Sequence, residues 1–180
     1  YIFADSDFAF IRPFEVDTFQ RDKKVILVRM PVEQPSQQIW HTNAAKSLGL
    51  DQAPGTKANF IGSLNVWRRD VLESLHQRIE NVHHRPWKKV ICRQLHLSEY
   101  ILYGVFAEQI LGEENSGHFF ECPRICNENW GRPMPTDKDI QQFFAETESQ
   151  DIGIMISSKL NIPVQRYRPF IEKLWDKHGS

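Results

Sequence analysis

The chain begins with YIFADSDFAFIRPF at residues 1–14, where two aspartates interrupt a run of apolar residues. Apolar side chains on both sides of the aspartates predict one buried strand over residues 1–11, which Pro13 ends because proline cannot donate to a strand ladder. An unpaired buried carboxylate is costly, so two of them need cations or water nearby. Since alternate residues of a strand share a face, Asp5 and Asp7 are predicted to project from the same side.

Two carboxylates on one face of a strand end are suitable ligands for a single divalent cation. Mg²⁺ and Mn²⁺ prefer oxygen ligands, and either ion would neutralise a diphosphate leaving group, which carboxylates cannot do directly. The structural alternative is a strand end at which Asp5 and Asp7 cap neighbouring turns. The D-x-D pattern alone leaves both interpretations open.

Length and charge limit the classes of protein that the chain can represent. It has 180 residues, of which 22 are basic and 23 acidic, for a formal charge of -1. This length favours one domain over residues 1–180, and the balanced charge gives no reason to expect nucleic acid as a partner. No apolar run approaches the ~20 residues that cross a bilayer, which predicts no membrane span. The three cysteines are too few for a disulfide framework, and no signal-peptide pattern is present, so a cytoplasmic protein is expected.

Segments with helical spacing of apolar residues alternate with short apolar runs that are typical of strands. Strands are predicted over residues 24–30, 58–67, 118–122 and 152–156, with loops at 33–36 and 51–57. Helices are predicted over residues 39–48 and 69–82, from 86, over 98–111 and 168–177, and after a capping box at 136–139. Gly49 and Gly112 are expected to end the first and fourth of these helices. The alternation predicts an α/β fold, a mixed sheet flanked by helices.

Three stretches, in this order, resemble glycosyltransferases of the GT-A fold: DSD at residues 5–7, FIGSLNVWRRD at 60–70 and LSEYILYG at 97–104. The resemblance is closest to a family of uncharacterised, mostly bacterial, glycosyltransferase-like domains, and it covers residues 1 to about 120. It implies a partial, GT-A-like fold. GT-A enzymes normally carry a nucleotide-binding βαβ region ahead of the aspartate motif, so the chain is expected to be a fragment without this N-terminal region.

The resemblance also implies a metal-dependent enzyme that moves a sugar from a nucleotide-sugar donor to a carbohydrate or other hydroxyl acceptor. Asp5, Asp7 and His118 are then expected to hold Mn²⁺ or Mg²⁺. Glu99, in the first turn of a predicted helix, is the expected general base, which takes a proton from the acceptor hydroxyl. On the residues alone, Glu99 also suits a solvated helix start, and His118 also suits a surface position at the start of a strand.

The expected donor- or substrate-binding residues lie in the second and third stretches: Gly62, Ser63, Asn65, Arg68, Tyr100 and Tyr103. A glycine inside a strand suggests close approach by a ligand, although a bulge explains it as well. Arg68 could hydrogen-bond a phosphate or pair with Asp70, and Tyr103 could be a core residue. These residues, Glu99 and the two aspartates are predicted to face one cleft.

Two features outside these stretches are not assigned to the site. His83-His84-Arg85, with Lys88 and Lys89, forms a basic cluster after a predicted helix, and it is interpreted as a solvated helix end, where cations are favoured. The five tryptophans are too scattered along the chain to predict a stacking platform.

Two other functional classes share part of this pattern. A non-catalytic carbohydrate-binding or interaction module on the same scaffold is one alternative, because fold resemblance does not establish activity. Phosphatases of the haloacid dehalogenase type also begin with an apolar strand and D-x-D, and their first aspartate is a nucleophile. They usually have threonine or valine two residues after the second aspartate, where this chain has Ala9, so this is the weaker alternative.

Overall fold

The computed structural model describes residues 1–31, 37–51 and 58–178. Its strands, in chain order, are β1 (Ile2–Ala4), β2 (Phe8–Phe10), β3 (Gln20–Arg21), β4 (Lys24–Val28), β5 (Met30–Pro31), β6 (Ala58–Asn59), β7 (Leu64–Val66), β8 (His118–Glu121), β9 (Cys126–Asn129) and β10 (Gly153–Ile156). Its α-helices are α1 (Gln38–Leu48), α2 (Arg69–His83), α3 (Trp87–Ile91), α4 (Glu99–Val105), α5 (Gly112–Ser116), α6 (Asp137–Ala145) and α7 (Val164–His178). The predicted α/β class is thereby confirmed in its coarse form, as helices with several small sheets.

Tertiary contacts group the chain into two compact units. The first unit contains residues 1–2 and 19–122, and the second contains residues 3–18 and 123–180. The prediction of one domain over residues 1–180 stays a prediction. The loop predicted at residues 33–36, and all but the first residue of the turn predicted at 51–57, lie outside the described residues.

The sheet of the first unit has β4 in its centre. β4 pairs with β8 in parallel, with Val25 opposite His118 and Val28 opposite Glu121, and β3 runs antiparallel to β4 on the other side. Ile26 and Leu27 of β4 are buried, and they belong to the branched apolar run from which this strand is predicted. The parallel pairing matters for the site, because it brings His118 beside Val25 although 93 residues separate them.

The helices of the first unit follow their apolar spacing closely. α1 packs on α2 and α4, and α3 packs on α2. The buried residues of α2 are Val71, Leu75 and Ile79, which lie four positions apart on one face of the helix. α1 ends as predicted at Gly49, whose φ of 66° is the left-handed conformation that glycine adopts without steric cost.

The predicted helix over residues 98–111 is confirmed at both ends, with a change of helix type inside it. Ser98 caps α4 by accepting from the backbone N–H of Ile101. The last turns, Phe106–Leu111, are π-helical, and Gly112 caps their C-terminus with φ 71° and ψ 171°, outside the helical region. The short helix α5 follows directly and is capped by Gly117, where φ is 61°.

The second unit is built on β10. This strand pairs with β9 in parallel and with β2 in antiparallel orientation, and Gly153 lies opposite both Cys126 and Phe10. A buried cluster that includes Ile11, Ile140 and Ile154 packs beneath α6 and α7. α6 begins at the predicted capping box, in which Thr136 and Asp139 satisfy each other's backbone N–H groups. The last helix starts earlier than predicted, at Val164.

The prediction of one continuous buried strand over residues 1–11 is wrong in both respects, since the chain breaks in the middle and residues 1–10 are half-buried or exposed. The segment forms two three-residue strands, β1 and β2, separated by a turn in which the N–H of Phe8 donates to the carbonyl of Asp5 at 3.1 Å. Asp and Ser favour turns because their short polar side chains compete for backbone hydrogen bonds. The argument that Asp5 and Asp7 share a face relied on strand alternation and therefore does not apply.

The predicted strand over residues 58–67 is interrupted in the same way. β6 and β7 are separate short strands, and residues 60–63 between them are not in a strand. Gly62 lies in this interruption, so it is not a glycine within a strand.

A close contact in the first unit predicts the effect of one substitution. A Cβ atom added at Gly104 of α4 would overlap the ring of Phe60, which is buried and cannot swing away. We expect Gly104→Ala to lower the free energy of unfolding by about 1–3 kcal/mol, because overpacking outweighs the gain in helix propensity. Urea denaturation of both proteins measures this difference.

Two further variants test whether the ring is the cause. Among the described residues, no atom lies within 4 Å of a Cβ added at Gly131, so Gly131→Ala should leave stability nearly unchanged. Phe60→Ala removes the ring atoms that a Cβ at Gly104 would overlap, and combined with Gly104→Ala it should cost less than the sum of the two single changes. Additive costs would contradict the proposed overlap.

Candidate functional site

The second and third stretches of the GT-A resemblance lie together in the first unit. The ring of Trp67, which follows β7, stacks on Tyr103 of α4 with 4.6 Å between centroids and 7° between planes. Tyr100 contacts the same indole edge-on at 5.7 Å. Sequence reasoning missed Trp67. The available signal was its position directly after a buried strand and before Arg68, a predicted site residue.

A hydrogen-bonded chain of four groups forms the polar centre of this site. The N–H of Arg68 donates to the Tyr103 hydroxyl at 2.9 Å, and that hydroxyl lies 2.8 Å from Nε2 of His118. Nδ1 of His118 lies 3.0 Å from the carbonyl oxygen of Val25. A carbonyl can only accept, so the histidine proton is on Nδ1, and Nε2 accepts the proton of the tyrosine hydroxyl.

Burial keeps both titratable members of this chain uncharged. His118 is fully buried, and burial is the main cause that lowers its pKa to about 4, against the opposing effect of its bond to Val25. Burial likewise raises the pKa of the Tyr103 hydroxyl well above its ordinary value. The alternative of a surface histidine is therefore wrong, and Tyr103 is a core residue whose polar end is fully used.

Metal binding by His118 stays a prediction, and it would require the histidine to give up a hydrogen bond within the protein. Both of its ring nitrogens already have partners in the protein. A cation at Nε2 would have to displace the Tyr103 hydroxyl, whose buried proton would then lose its acceptor. Within residues 1–31, 37–51 and 58–178, no group of three His, Cys, Asp or Glu side chains is placed to hold a metal ion.

Arg68 has partners through its side chain as well as its backbone. Its guanidinium pairs with both carboxylate oxygens of Asp70, at 3.0 and 2.6 Å. The hydrogen bond from Arg68 is the main cause that lowers the pKa of Asp70. A Cβ added at Gly117 would lie 2.7 Å from the guanidinium, so the arginine packs directly over this glycine. The alternative that Arg68 pairs with Asp70 is confirmed. A phosphate would have to share the guanidinium with Asp70 or displace that carboxylate.

The remaining predicted donor residues, Gly62, Ser63 and Asn65, are buried at the start of β7. The amide of Asn65 donates to the carbonyl of Gly62 at 2.7 Å, while its Oδ1 has no hydrogen-bond partner among the described residues. A Cβ at Gly62 would make only ordinary contacts, the nearest at 3.5 Å, so packing does not require glycine there. A ligand that approaches Gly62 stays a prediction.

Glu99 lies in the first turn of α4, where its side chain is exposed. Residues three and four apart share a helix face, so Glu99 lies on the side of α4 that carries Tyr103. The position is compatible with both interpretations, a general base and a carboxylate that complements the helix dipole.

Asp5 and Asp7 belong to the second unit. Asp7 accepts twice: its backbone carbonyl from the N–H of Ile156, and its Oδ2 from the N–H of Ser158 at 2.8 Å. The second bond caps the short 3₁₀ helix Ser158–Leu160, which is the structural alternative considered for these aspartates. Asp5 is half-buried in the turn. That the aspartates reach the same cleft as Glu99 stays a prediction.

The low pKa of His118 predicts a specific dependence of stability on pH. In the unfolded chain its pKa returns to about 6.5, so between pH 6.5 and 4 the unfolded state binds one more proton than the folded state. The contribution of His118 to the free energy of unfolding is therefore fully present above this window, and about 3 kcal/mol of it is lost as the pH drops through it.

Urea denaturation at a series of pH values tests this contribution, because it gives the slope of the free energy of unfolding against pH for each variant. In His118→Gln, stability should depend less steeply on pH than in the unsubstituted protein, by about one proton near pH 5.5. His96→Gln, which removes an exposed histidine, should keep the original slope. Equal slopes for all three proteins would show that His118 titrates normally in the folded state.

Comparison with known proteins assigns the chain to a family. A model described as a family of unknown function, DUF6492, matches residues 1–178. No curated protein and no solved structure matches the chain. Since the family match covers nearly the whole sequence, the chain belongs to the DUF6492 family.

Proposed function

We propose that this protein is a metal-dependent glycosyltransferase that moves a sugar from a nucleotide-sugar donor to a hydroxyl acceptor. The observation that carries the proposal is the contact between the second and third stretches of the GT-A resemblance, through the stacking of Trp67 on Tyr103. Two segments that are distant in sequence and resemble the same enzyme class form one cluster. A GT-A-like arrangement and a cytoplasmic location are parts of this proposal.

In this proposal, Asp5 and Asp7 hold Mn²⁺ or Mg²⁺. Mg²⁺ in proteins is commonly held by one or two carboxylates together with substrate phosphates and water, so a third protein ligand is not required. Asp7 uses Oδ2 for Ser158, which leaves its other carboxylate oxygen for a cation. When bound, the ion would neutralise the charge of the departing diphosphate.

Glu99 is proposed as the group that takes the proton of the acceptor hydroxyl. A general base must be reachable by substrate, and the exposure of Glu99 meets this condition. Tyr100 is half-buried against Trp67 on the same helix, and its ring offers an apolar face for a sugar.

The donor sugar is assigned to the buried start of β7. Oδ1 of Asn65 is an acceptor without a partner among the described residues, and a sugar hydroxyl would satisfy it. An unsatisfied buried acceptor costs about 1–3 kcal/mol, so a hydroxyl donor that reaches it would recover part of that cost.

One observation favours the alternative of a non-catalytic module. Arg68, Tyr103 and His118, three of the predicted site residues, use their polar groups in bonds within the protein. These bonds stabilise the fold without any ligand. A module that binds a carbohydrate on the exposed parts of this surface, without transfer, is the second candidate.

The metal proposal predicts that Asp7→Asn abolishes Mn²⁺-dependent donor binding while the fold is kept. Asparagine retains an acceptor oxygen for the N–H of Ser158 but loses the charge that attracts the cation. Calorimetry with Mn²⁺ alone, and with Mn²⁺ and each of a panel of nucleotide sugars, measures the effect.

Asp17→Asn is the matched control, because Asp17 is an exposed aspartate of the same unit. It should bind Mn²⁺ and nucleotide sugars as the unsubstituted protein does. Unchanged metal-dependent binding in Asp7→Asn would remove Asp7 from the site.

The base proposal predicts a different result for Glu99→Gln. Glutamine keeps the size of the side chain but cannot accept the proton, so donor binding should persist while sugar transfer falls by about 10²–10⁴-fold. Glu114→Gln replaces an exposed glutamate in the first turn of α5 and should leave transfer unchanged. If Glu99→Gln shows normal transfer and only a stability loss of about 0.3–1 kcal/mol, Glu99 has a helix-dipole role instead.

A further inference from the structure

A basic cavity of about 690 Å³ lies in the first unit. Lys46, Arg85, Lys89 and Arg93 are among its lining residues, and all four side chains are exposed. None of Gly62, Asn65 and Glu99, which are proposed transferase residues of the same unit, lines the cavity.

The four cations reach the cavity from different segments. Lys46 is in the last turn of α1, Lys89 is in α3, and Arg85 and Arg93 lie in the connections that follow α2 and α3. Cations are favoured at helix C-termini, which accounts for individual members of the set. This preference does not explain why four cations from different segments line the same cavity. The interpretation of the basic cluster as a solvated helix end is therefore incomplete.

Among the described residues, the cations have no acidic neighbour in the lining of this cavity, and Glu80 lies with Arg85 only in the adjoining concavity. Within the described part of the chain, none of the four cations forms an ion pair, although nine other ion pairs are present there. Like charges that surround one cavity repel each other, and a bound anion would relieve this repulsion.

We propose that this cavity binds the phosphate group of a phosphate-bearing ligand. Arginine presents a planar fork of donors that matches phosphate oxygens, and lysine supplies a compact positive charge beside it. The volume is within the range of about 300–1,000 Å³ that is typical of small-molecule sites. A concave shape of this size favours a compact phosphate group over an extended nucleic acid.

The phosphate could come from a soluble ligand or from a lipid headgroup, and two measurements separate these sources. Calorimetry with inorganic pyrophosphate, at constant ionic strength, measures binding in solution. Co-sedimentation with phosphatidylcholine vesicles that contain phosphatidate, compared with phosphatidylcholine alone, measures binding to a lipid phosphate.

Charge-matched variants identify the cavity as the binding site. Lys89→Gln with Arg93→Gln removes two lining charges and should raise the dissociation constant at least about tenfold. Lys88→Gln with Lys173→Gln removes two exposed charges that do not line the cavity and should change it less than about twofold. Lys46→Gln, on a separate helix, provides an independent check that does not alter α3, and circular dichroism confirms that each variant is folded.

Each result decides the proposal. Binding of pyrophosphate or of phosphatidate vesicles that the lining variants weaken and the control variant does not supports the site, and the responsive probe names the source of the phosphate. No binding in either measurement, or equal weakening by lining and control variants, overturns it. Tight binding to an oligonucleotide that pyrophosphate does not displace also overturns it. None of these outcomes depends on metal binding by Asp7 or on sugar transfer, so failure of the transferase proposal remains distinguishable.

Discussion

The hydroxyl group of Tyr103 is the constraint around which the first unit is arranged. A buried hydroxyl must be satisfied, and this one accepts from the N–H of Arg68 and donates to His118, which in turn donates to Val25. The bonds connect the start of α2, helix α4 and the parallel pair β4 and β8. A shift of any of these elements would leave a buried polar group without a partner, at a cost of about 1–3 kcal/mol.

This constraint separates the polar residues of the candidate site into two kinds. Arg68, Tyr103 and His118 hold the elements in place, and their polar groups bond to each other, to the backbone or to the carboxylate of Asp70. Glu99 is exposed, and Oδ1 of Asn65 has no partner among the described residues. In the proposed transferase, ligand contacts in the first unit would therefore depend on residues of the second kind, while those of the first kind fix the elements around them.

The sequence predicted helices better than strands, for a physical reason. The apolar spacing of α2, the glycine that ends α1 and the capping box of α6 are local signals, and each is confirmed. Strand boundaries depend on non-local pairing, so the apolar runs over residues 1–11 and 58–67 each predict one continuous strand, although each contains two short strands. The DSD stretch carried a local warning, because Asp and Ser favour turns.

Side-chain partners were less predictable than elements, since they require tertiary structure. The Arg68 and Asp70 pair is two residues apart and could be anticipated, whereas the bond between Tyr103 and His118 depends on how α4 and β8 pack.

The position of charges on the surface is equally hard to predict, because a formal charge of -1 describes the whole chain and carries no information about where its charged side chains lie. Lys46 and Arg93 are 47 positions apart in the sequence, so only the packing of α1, α2 and α3 shows that their charges line one cavity. A balanced total therefore argues against an anionic partner only where charges of both signs are mixed, and at this cavity they are segregated.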